Sequence, residues 1–275
     1  MKTIIRFVLF ASIMLAGLSC TKLSLDKETS QFVGVWSVSS DNPEAKLSYW
    51  VFYDDGTAKN VNAYNSVSAP LSEMKVSGTG KWTYDKKTNI LATTLNLFQV
   101  QTTMVGENVW TAIGTDGRYH YTGTLLDESD LMRIHILLMG TKWEGNKLGS
   151  FSIGAPLSAR LGKFGTSYGT ALACSTPAKI QETENINWTH LRITKYKDSD
   201  DELHYSLLTQ KVGSGMGNNR YFEGNDVAVN EFKLSNPLSP SSCRLAFNFT
   251  ITVEKSDYFV KKREYGDTFK LEPSE

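Results

Sequence analysis

The fold of this chain is decided by the stretch Val76-Ser77-Gly78-Thr79-Gly80-Lys81-Trp82-Thr83-Tyr84, in which apolar residues and glycines alternate with polar residues. A period of two places Val76, Trp82 and Tyr84 on one face of an extended strand, together with the two glycines. The opposite face carries only serine, threonine and lysine. The pattern therefore predicts a β-strand that is buried on one side and solvated on the other.

The same alternation recurs in two later segments of the chain. Their apolar residues are Met132, Ile134, Ile136 and Leu138 in the first segment, and Phe247, Phe249, Ile251 and Val253 in the second. Turns rich in Asp, Asn and Gly, such as Asp54-Asp55-Gly56, separate eight or nine strand candidates between residues 32 and 139. Only Ser66 to Met74 is compatible with a turn of helix. Because closure removes exposed strand edges, this meander predicts an up-and-down antiparallel β-barrel in an all-β chain.

The segment Phe32-Val33-Gly34-Val35-Trp36 opens this predicted barrel. It resembles the Gly-x-Trp opening of lipocalin-like barrels, and the resemblance covers roughly residues 31 to 139. In that family the glycine allows a tight bend and the tryptophan plugs the closed end of the barrel, which implies structural roles for Gly34 and Trp36. The family also places an arginine against that tryptophan. Arg133 is the nearest arginine here, but the alternation puts it on the polar face of its segment, so the role does not transfer to it.

The stretch Gly140-Thr141-Lys142-Trp143 again places a glycine shortly before a tryptophan, at the point where the first barrel would end. We expect a second β-rich domain over residues 140–275, either a barrel or a sandwich. An acidic hairpin loop at residues 198–202 is interpreted as a solvated turn and not as a calcium site, because it lacks the glycine of an EF-hand loop. The glycine-rich residues 213–219 lack the frame of a phosphate-binding loop and are interpreted as a flexible connection.

The N-terminal residues have the pattern of a bacterial lipoprotein signal. Two basic residues precede an apolar run over residues 7–18 that is too short to span a bilayer, and small residues lead up to Cys20. A signal peptide over residues 1–19 and a linker over residues 20–30 are therefore predicted, with acyl chains such as palmitate on Cys20. The alternative is an ordinary secretory peptide in which Cys20 is incidental.

The residues after Cys20 indicate where the anchored protein is delivered. No acidic residue follows immediately, so nothing there indicates retention at the inner membrane. We expect a protein that is lipid-anchored at the outer membrane of a Gram-negative bacterium, and the side of the membrane that it faces stays open. The combination of lipid anchor, short linker and Gly-x-Trp barrel is similar to bacterial outer-membrane lipoproteins with a lipocalin-like domain.

The charge balance argues against one large class of partner. Lysine plus arginine and aspartate plus glutamate number 29 each. Removing Lys2 and Arg6 with the signal peptide leaves 27 basic residues against 29 acidic ones, a net charge of −2. Because nucleic-acid binding depends on clustered Lys and Arg, and the sequence contains no basic run, no nucleic-acid partner is expected.

Cys174 and Cys243 are the two cysteines that remain after lipidation. In an oxidising compartment they could form a disulfide, which would close a loop whose ends are 69 positions apart. Such a link is worth about 4 kcal/mol if it is unstrained. Two buried free thiols are an equally open interpretation, because spacing along the chain does not reveal geometry.

No sequence motif points to catalysis, to a metal or to a cofactor. The histidines at 120, 135, 190 and 204 form no metal motif, and there is no Gly-x-Ser-x-Gly elbow. Alternation places His120 and His135 on the solvated faces of strands. Carboxylates in the turns are explained by turn chemistry and solubility. We therefore expect no catalytic residue, no metal site, no cofactor and no enzymatic activity.

The tryptophans have two interpretations. Trp36 and Trp82 share strand faces with glycines, which favours packing of large rings against bare backbone. Trp50 and Trp110 could instead lie at a barrel mouth or form a surface platform for a carbohydrate. Core packing is favoured, because six tryptophans in a β-protein of this size lie more often in the core.

These observations predict non-catalytic binding at the cell envelope. The ligand would be a small apolar molecule or a glycan inside the barrel, or the partner would be an envelope protein. The alternative is a structural or assembly component, such as a pilus-type subunit or an accessory of an envelope complex, and a hydrolase is the least favoured class. An open barrel interior would favour ligand binding, whereas an interior filled by its own side chains would favour the structural class.

We predict that Cys20→Ala moves the protein from the membrane fraction to the soluble periplasm, or blocks its processing, because the acyl chains provide the membrane attachment. Cell fractionation with immunoblotting measures the change. Cys174→Ala is the control and should stay in the membrane fraction. Membrane fractionation of Cys20→Ala that matches the parent, with cleavage at another site, would show that Cys20 is not the anchor.

Overall fold

The structure is a computed structural model, and it describes residues 25–42, 47–62, 74–95, 98–147, 150–153, 163–164, 167–173, 177–180, 184–196, 203–212, 220–222, 227–255 and 260–272. Within these ranges the chain forms nineteen β-strands and two short helices. The predicted signal peptide, Cys20, Cys174, the acidic loop at 198–202 and the connection at 213–219 lie outside the described residues. So do residues 66–73 of the helical turn proposed over Ser66 to Met74.

Eight strands close into an antiparallel barrel in the order in which they occur along the chain. They are β1 Gly34–Ser40, β2 Ser48–Phe52, β3 Thr57–Asn62, β4 Lys75–Asp85, β5 Ile90–Thr93, β6 Gln99–Met104, β7 Val109–Gly114 and β8 His120–Leu125. Closure occurs at β1, where Trp36 lies opposite Trp50 of β2 on one side and Leu125 of β8 on the other. The all-β class and the up-and-down barrel predicted from the alternation are confirmed.

The second half of the chain forms two further antiparallel sheets, in the parts that the structure describes. The five-stranded sheet has the order β10-β9-β19-β18-β17. Its strands are β9 Thr141–Glu144, β10 Ser150–Ile153, β17 Val227–Ser235, β18 Arg244–Lys255 and β19 Val260–Leu271. The other sheet contains β11 Lys163–Phe164, β12 Ser167–Ala173, β14 Glu184–Tyr196, β15 Leu203–Val212 and β16 Arg220–Phe222, with β13 Pro177–Ile180 paired to β14.

Aromatic side chains of the barrel fill its interior. Phe52, Trp82 and Trp110 are almost completely buried, and so are Trp36 and Trp50. The ring centroids of Trp36 and Trp110 lie 6.1 Å apart, and those of Phe52 and Trp82 lie 5.2 Å apart. The core interpretation of the barrel tryptophans is therefore confirmed, and the alternative of a surface platform at Trp50 and Trp110 is wrong.

Glycines allow the strands to approach these rings. A Cβ atom on Gly123 would lie 2.0 Å from the Trp110 ring, and one on Gly34 would lie 2.5 Å from the Leu125 side chain. Trp36 is held in place by its indole Nε1, which donates a hydrogen bond to the Phe32 carbonyl oxygen at 2.8 Å. A Cβ at position 34 would therefore require the Leu125 side chain on β8 to shift.

The two helices are short, and one of them corrects a prediction. α1 spans Lys27–Ser30 and α2 spans Leu131–Leu138. The strand predicted around Ile134 and Ile136 is wrong, because this segment is α2. Asp130 caps the N-terminus of this helix, and its carboxylate accepts a hydrogen bond from the Met132 amide at 2.8 Å. Leucines at intervening positions make the segment apolar on almost every side, so its period-two pattern did not distinguish a strand from a buried helix.

The helix also changes the environment of two predicted surface residues. His135 is 0% exposed, and neither ring nitrogen has a hydrogen-bond partner among the described residues. Burial lowers its pKa to about 3, so the imidazole is neutral at neutral pH. The prediction that His135 is solvated is therefore wrong, and Arg133 of the same helix is also buried. The prediction is confirmed for His120, which is exposed and lies 2.9 Å from the Asp41 carboxylate.

The outer face of the first three barrel strands is a second core. Val35, Val51 and Val61 are fully buried there, against Ile136 of α2. Leu234 and Leu238 from the end of β17 and the following turn pack on the same cluster. The barrel, the helix and the five-stranded sheet therefore share one hydrophobic cluster.

We predict that Trp36→Ala lowers the stability of the barrel by about 3 to 5 kcal/mol, because it removes a buried ring and leaves a cavity. Thermal melts of the signal-free protein should show a midpoint many degrees below that of the parent. Trp36→Phe is the matched control. It should lose less stability than Trp36→Ala, since it retains an aromatic ring. A Trp36→Ala melt equal to that of the parent would contradict a structural role for this residue.

Candidate functional site

A cleft of about 790 Å³ lies between the barrel and the five-stranded sheet. One wall is formed by β3 and β4 of the barrel. The other wall is formed by the start of β9, the turn before β18 and the adjoining ends of β18 and β19. The volume is typical of sites that bind small molecules. We call this site the basic cleft, because its walls include Lys59, Lys81, Lys142, Arg244 and Lys270.

The barrel wall is built by the hairpin that joins β2 to β3. The turn is fixed by Asp55, whose carboxylate accepts hydrogen bonds from the Thr57 amide at 2.9 Å and from the Thr57 hydroxyl at 2.6 Å. Gly56 has a φ of 77°, which suits glycine at this position. In the register that follows, Thr57 lies opposite Lys81 and Lys59 lies opposite Thr79. The outward side of these two strands therefore faces the cleft.

The sheet wall places basic residues on neighbouring strands. Arg244 of β18 lies directly opposite Lys270 of β19, and Lys270 lies opposite Glu144 of β9 on its other side. Directly opposed residues of an antiparallel pair project from the same face. Arg244 donates hydrogen bonds to the carbonyl oxygens of Ser241 at 3.2 Å and Cys243 at 2.7 Å.

Lys59 is the most buried charged group of the cleft, with 3% of its surface exposed. Its Nζ donates hydrogen bonds to the carbonyl oxygens of Leu137 at 2.9 Å and Met139 at 3.0 Å. These oxygens belong to the C-terminal end of α2, where unpaired carbonyls carry partial negative charge. Burial lowers the pKa of Lys59 to about 7, while the two carbonyl contacts favour its charged form. Lys59 therefore ties the helix end to the barrel.

Two other titratable groups lie in this region, since Cys243 interacts electrostatically with Lys59 and with Tyr53. Burial raises the pKa of the Cys243 thiol to about 11, and it also raises the pKa of Tyr53. Both side chains are therefore neutral at neutral pH. Cys243 is buried, and its predicted partner Cys174 lies outside the described residues, so the disulfide stays a prediction.

The residues singled out in the sequence do not meet at this cleft. Gly34 and Trp36 lie in β1, where the barrel closes, and His120 lies at the start of β8. His190 and His204 lie in β14 and β15. Among the described residues, no three His, Cys, Asp or Glu side chains group closely enough to hold a metal ion. The sequence contained no signal for the cleft, because its basic residues are scattered between positions 59 and 270.

The barrel of eight antiparallel strands is compatible with a lipocalin-like fold. No family model, curated protein or solved structure matches this chain. The fold class therefore rests on the strand order and register alone. In the described ranges, neither helix has the length and apolar character needed to cross a membrane.

We predict that the stability of the protein rises between about pH 7.5 and pH 8.5 because of Lys59. Its pKa is about 7 in the folded protein, below the ordinary lysine value of 10.5, so the unfolded chain binds more protons in this interval. Stability therefore increases with pH, by up to about 1.4 kcal/mol per pH unit for one group. Urea unfolding at both pH values measures the slope.

In the variant Lys59→Met, the free energy of unfolding should change much less between the two pH values, whatever its absolute value. Lys87→Met is the control, since Lys87 is exposed in the turn between β4 and β5, and it should keep the slope of the parent. A parent protein with equal stability at both pH values would contradict the assignment.

Proposed function

We propose that this protein is a non-catalytic, lipid-anchored protein of the outer membrane that binds a small ligand in the basic cleft. Cys20 would carry the lipid, and the body would resemble a lipocalin-like lipoprotein in which the ligand site has moved outside the barrel. The observation that carries the proposal is the basic cleft itself, because it combines a volume of about 790 Å³ with apolar and charged walls.

The packing of the barrel supports a site outside it. Trp36, Trp82 and Trp110 occupy the interior with 3% or less of their surface exposed. A ligand of the size of a sugar or a fatty acid would have to displace such rings, and close-packed cores resist that change. The cleft requires no such rearrangement.

The chemistry of the cleft supports binding and not catalysis. Its charged groups are mostly lysine and arginine, which hold anionic and polar ligand groups. Lys59 has a pKa near 7, but its amine is committed to the carbonyl oxygens of Leu137 and Met139. It is therefore placed to position the helix end and to contribute charge.

The filled barrel also favours a second candidate function. A structural or assembly component of the cell surface needs no internal cavity, and a barrel packed by its own rings suits that role. In this alternative the cleft would receive a segment of an envelope partner protein. We further propose that residues 140–275 form one second domain, and its division into two sheets favours a sandwich over a barrel.

We predict that Thr79→Trp weakens ligand binding by filling the cleft. Thr79 is exposed on β4 and lines the cleft, and an indole there should raise the dissociation constant about tenfold or more. Calorimetry with three probes, trigalacturonate, the neutral trisaccharide galactotriose and palmitate, measures the effect. We expect at least one probe to bind the parent.

The matched control is Thr83→Trp. Thr83 is also exposed on β4 and lies two residues beyond Lys81, but it does not line the cleft. This variant should bind like the parent. Equal affinities of Thr79→Trp and Thr83→Trp for a bound probe would overturn the proposed function. So would a parent protein that binds none of the three probes and no tripolyphosphate, which is a phosphate probe without a sugar or an acyl chain.

A further inference from the structure

We propose that the ligand of the basic cleft is a small polyanion, a molecule that carries at least two carboxylate, sulfate or phosphate groups. This inference rests on the proposed function, because it names the ligand class of the same site.

The first argument is the charge of the walls. Five basic residues line the cleft against two acidic ones, Asp55 and Glu272, although the whole chain has a net charge of 0. The Asp55 carboxylate is already engaged by the amide and hydroxyl of Thr57. A concave site with an excess of one sign of charge focuses the electrostatic potential and concentrates ligands of the opposite sign.

The second argument is that three of the five basic residues have no internal partner. Lys81, Lys142 and Lys270 are exposed, and none of them forms an ion pair within the part of the chain that the structure describes. Their ammonium groups therefore retain their full capacity to donate hydrogen bonds to a ligand.

The third argument is the register of the sheet wall. Arg244 and Lys270 stand directly opposite each other on one face, and like charges in such a pair are destabilising. Glu144 lies next to Lys270 in the same row but does not line the cleft. An anionic group bound between Arg244 and Lys270 would offset their repulsion, and a guanidinium can hold it through two parallel hydrogen bonds.

The fourth argument is the distribution of the cations between the two walls. Lys81 belongs to the barrel, whereas Lys142, Arg244 and Lys270 belong to the sheet. Lys59 of the barrel contributes only charge, because its amine is bonded to carbonyl oxygens at the end of α2. A ligand with a single anionic group would engage one wall only. A ligand with two or more such groups can engage both walls, with its body against apolar lining residues such as Val76 and Leu271.

The test reverses two charges of the sheet wall, in the variant Lys142→Glu/Lys270→Glu. Lys87→Glu/Lys233→Glu is the charge-matched control, since both of its positions are exposed and lie outside the cleft. Calorimetry uses trigalacturonate, tripolyphosphate and galactotriose. We expect the parent and the control to bind at least one of the two anionic probes. We expect the cleft variant to bind that probe at least about tenfold more weakly. We also expect about 0.5 M NaCl to lower the affinity of the parent for the probe, because salt screens the charges.

The outcomes separate this inference from the proposed function. Galactotriose could bind the parent, fail to bind Thr79→Trp and bind the charge-reversal variant like the parent. This result would keep the cleft as a ligand site and overturn the inference that its ligand is a polyanion. If Thr79→Trp binds an anionic probe as tightly as the parent does, both the proposed function and the polyanion inference are overturned. Binding of trigalacturonate alone identifies an acidic glycan, and binding of tripolyphosphate alone identifies a phosphate compound. Failure of both anionic probes to bind the parent overturns the inference.

Discussion

The first three strands of the barrel are buried on both faces, and the rest of the structure depends on how their outer face is covered. In β2 every residue from Tyr49 to Phe52 is buried, and in β3 the same is true from Ala58 to Val61. An ordinary barrel strand alternates between core and solvent, as β4 does. Inner side chains of β1 to β3 complete the barrel core. Their outer side chains would expose a large apolar patch, so they require a cover.

Helix α2 and the turn after β17 supply that cover, and the contact positions the second half of the chain. The amide of Asp54 donates a hydrogen bond to the Leu238 carbonyl oxygen at 3.0 Å, next to the packing of Leu238 on the outer cluster. Lys59 stands within the apolar face, where an unpaired ammonium would be costly. The carbonyl oxygens at the end of α2 satisfy it. The Lys59 ammonium group and the C-terminal end of α2 therefore stabilise each other's positions.

The cleft is a consequence of this arrangement. Across the cleft, the outward side of β3 and β4 faces the ends of β18 and β19. The cations on the two walls come from strands far apart in the chain, and Arg244 and Lys270 are brought together by strand register. A filled barrel and a basic cleft beside it give the proposed ligand site a different location and a different chemistry from those of an open barrel lumen.

The sequence by itself determined the all-β class, the barrel and the buried tryptophans, because alternation and turn residues are local signals that a strand needs wherever it lies. It did not distinguish α2 from a strand, since a short run that is apolar on nearly every side suits both, and it therefore misplaced His135. Only the tertiary structure decided which cations meet at the cleft. Lys59, Lys142 and Lys270 have ordinary neighbours in the sequence. Their shared environment arises from strand pairing and from the packing of the five-stranded sheet on the barrel, which act between residues 83 to 211 positions apart.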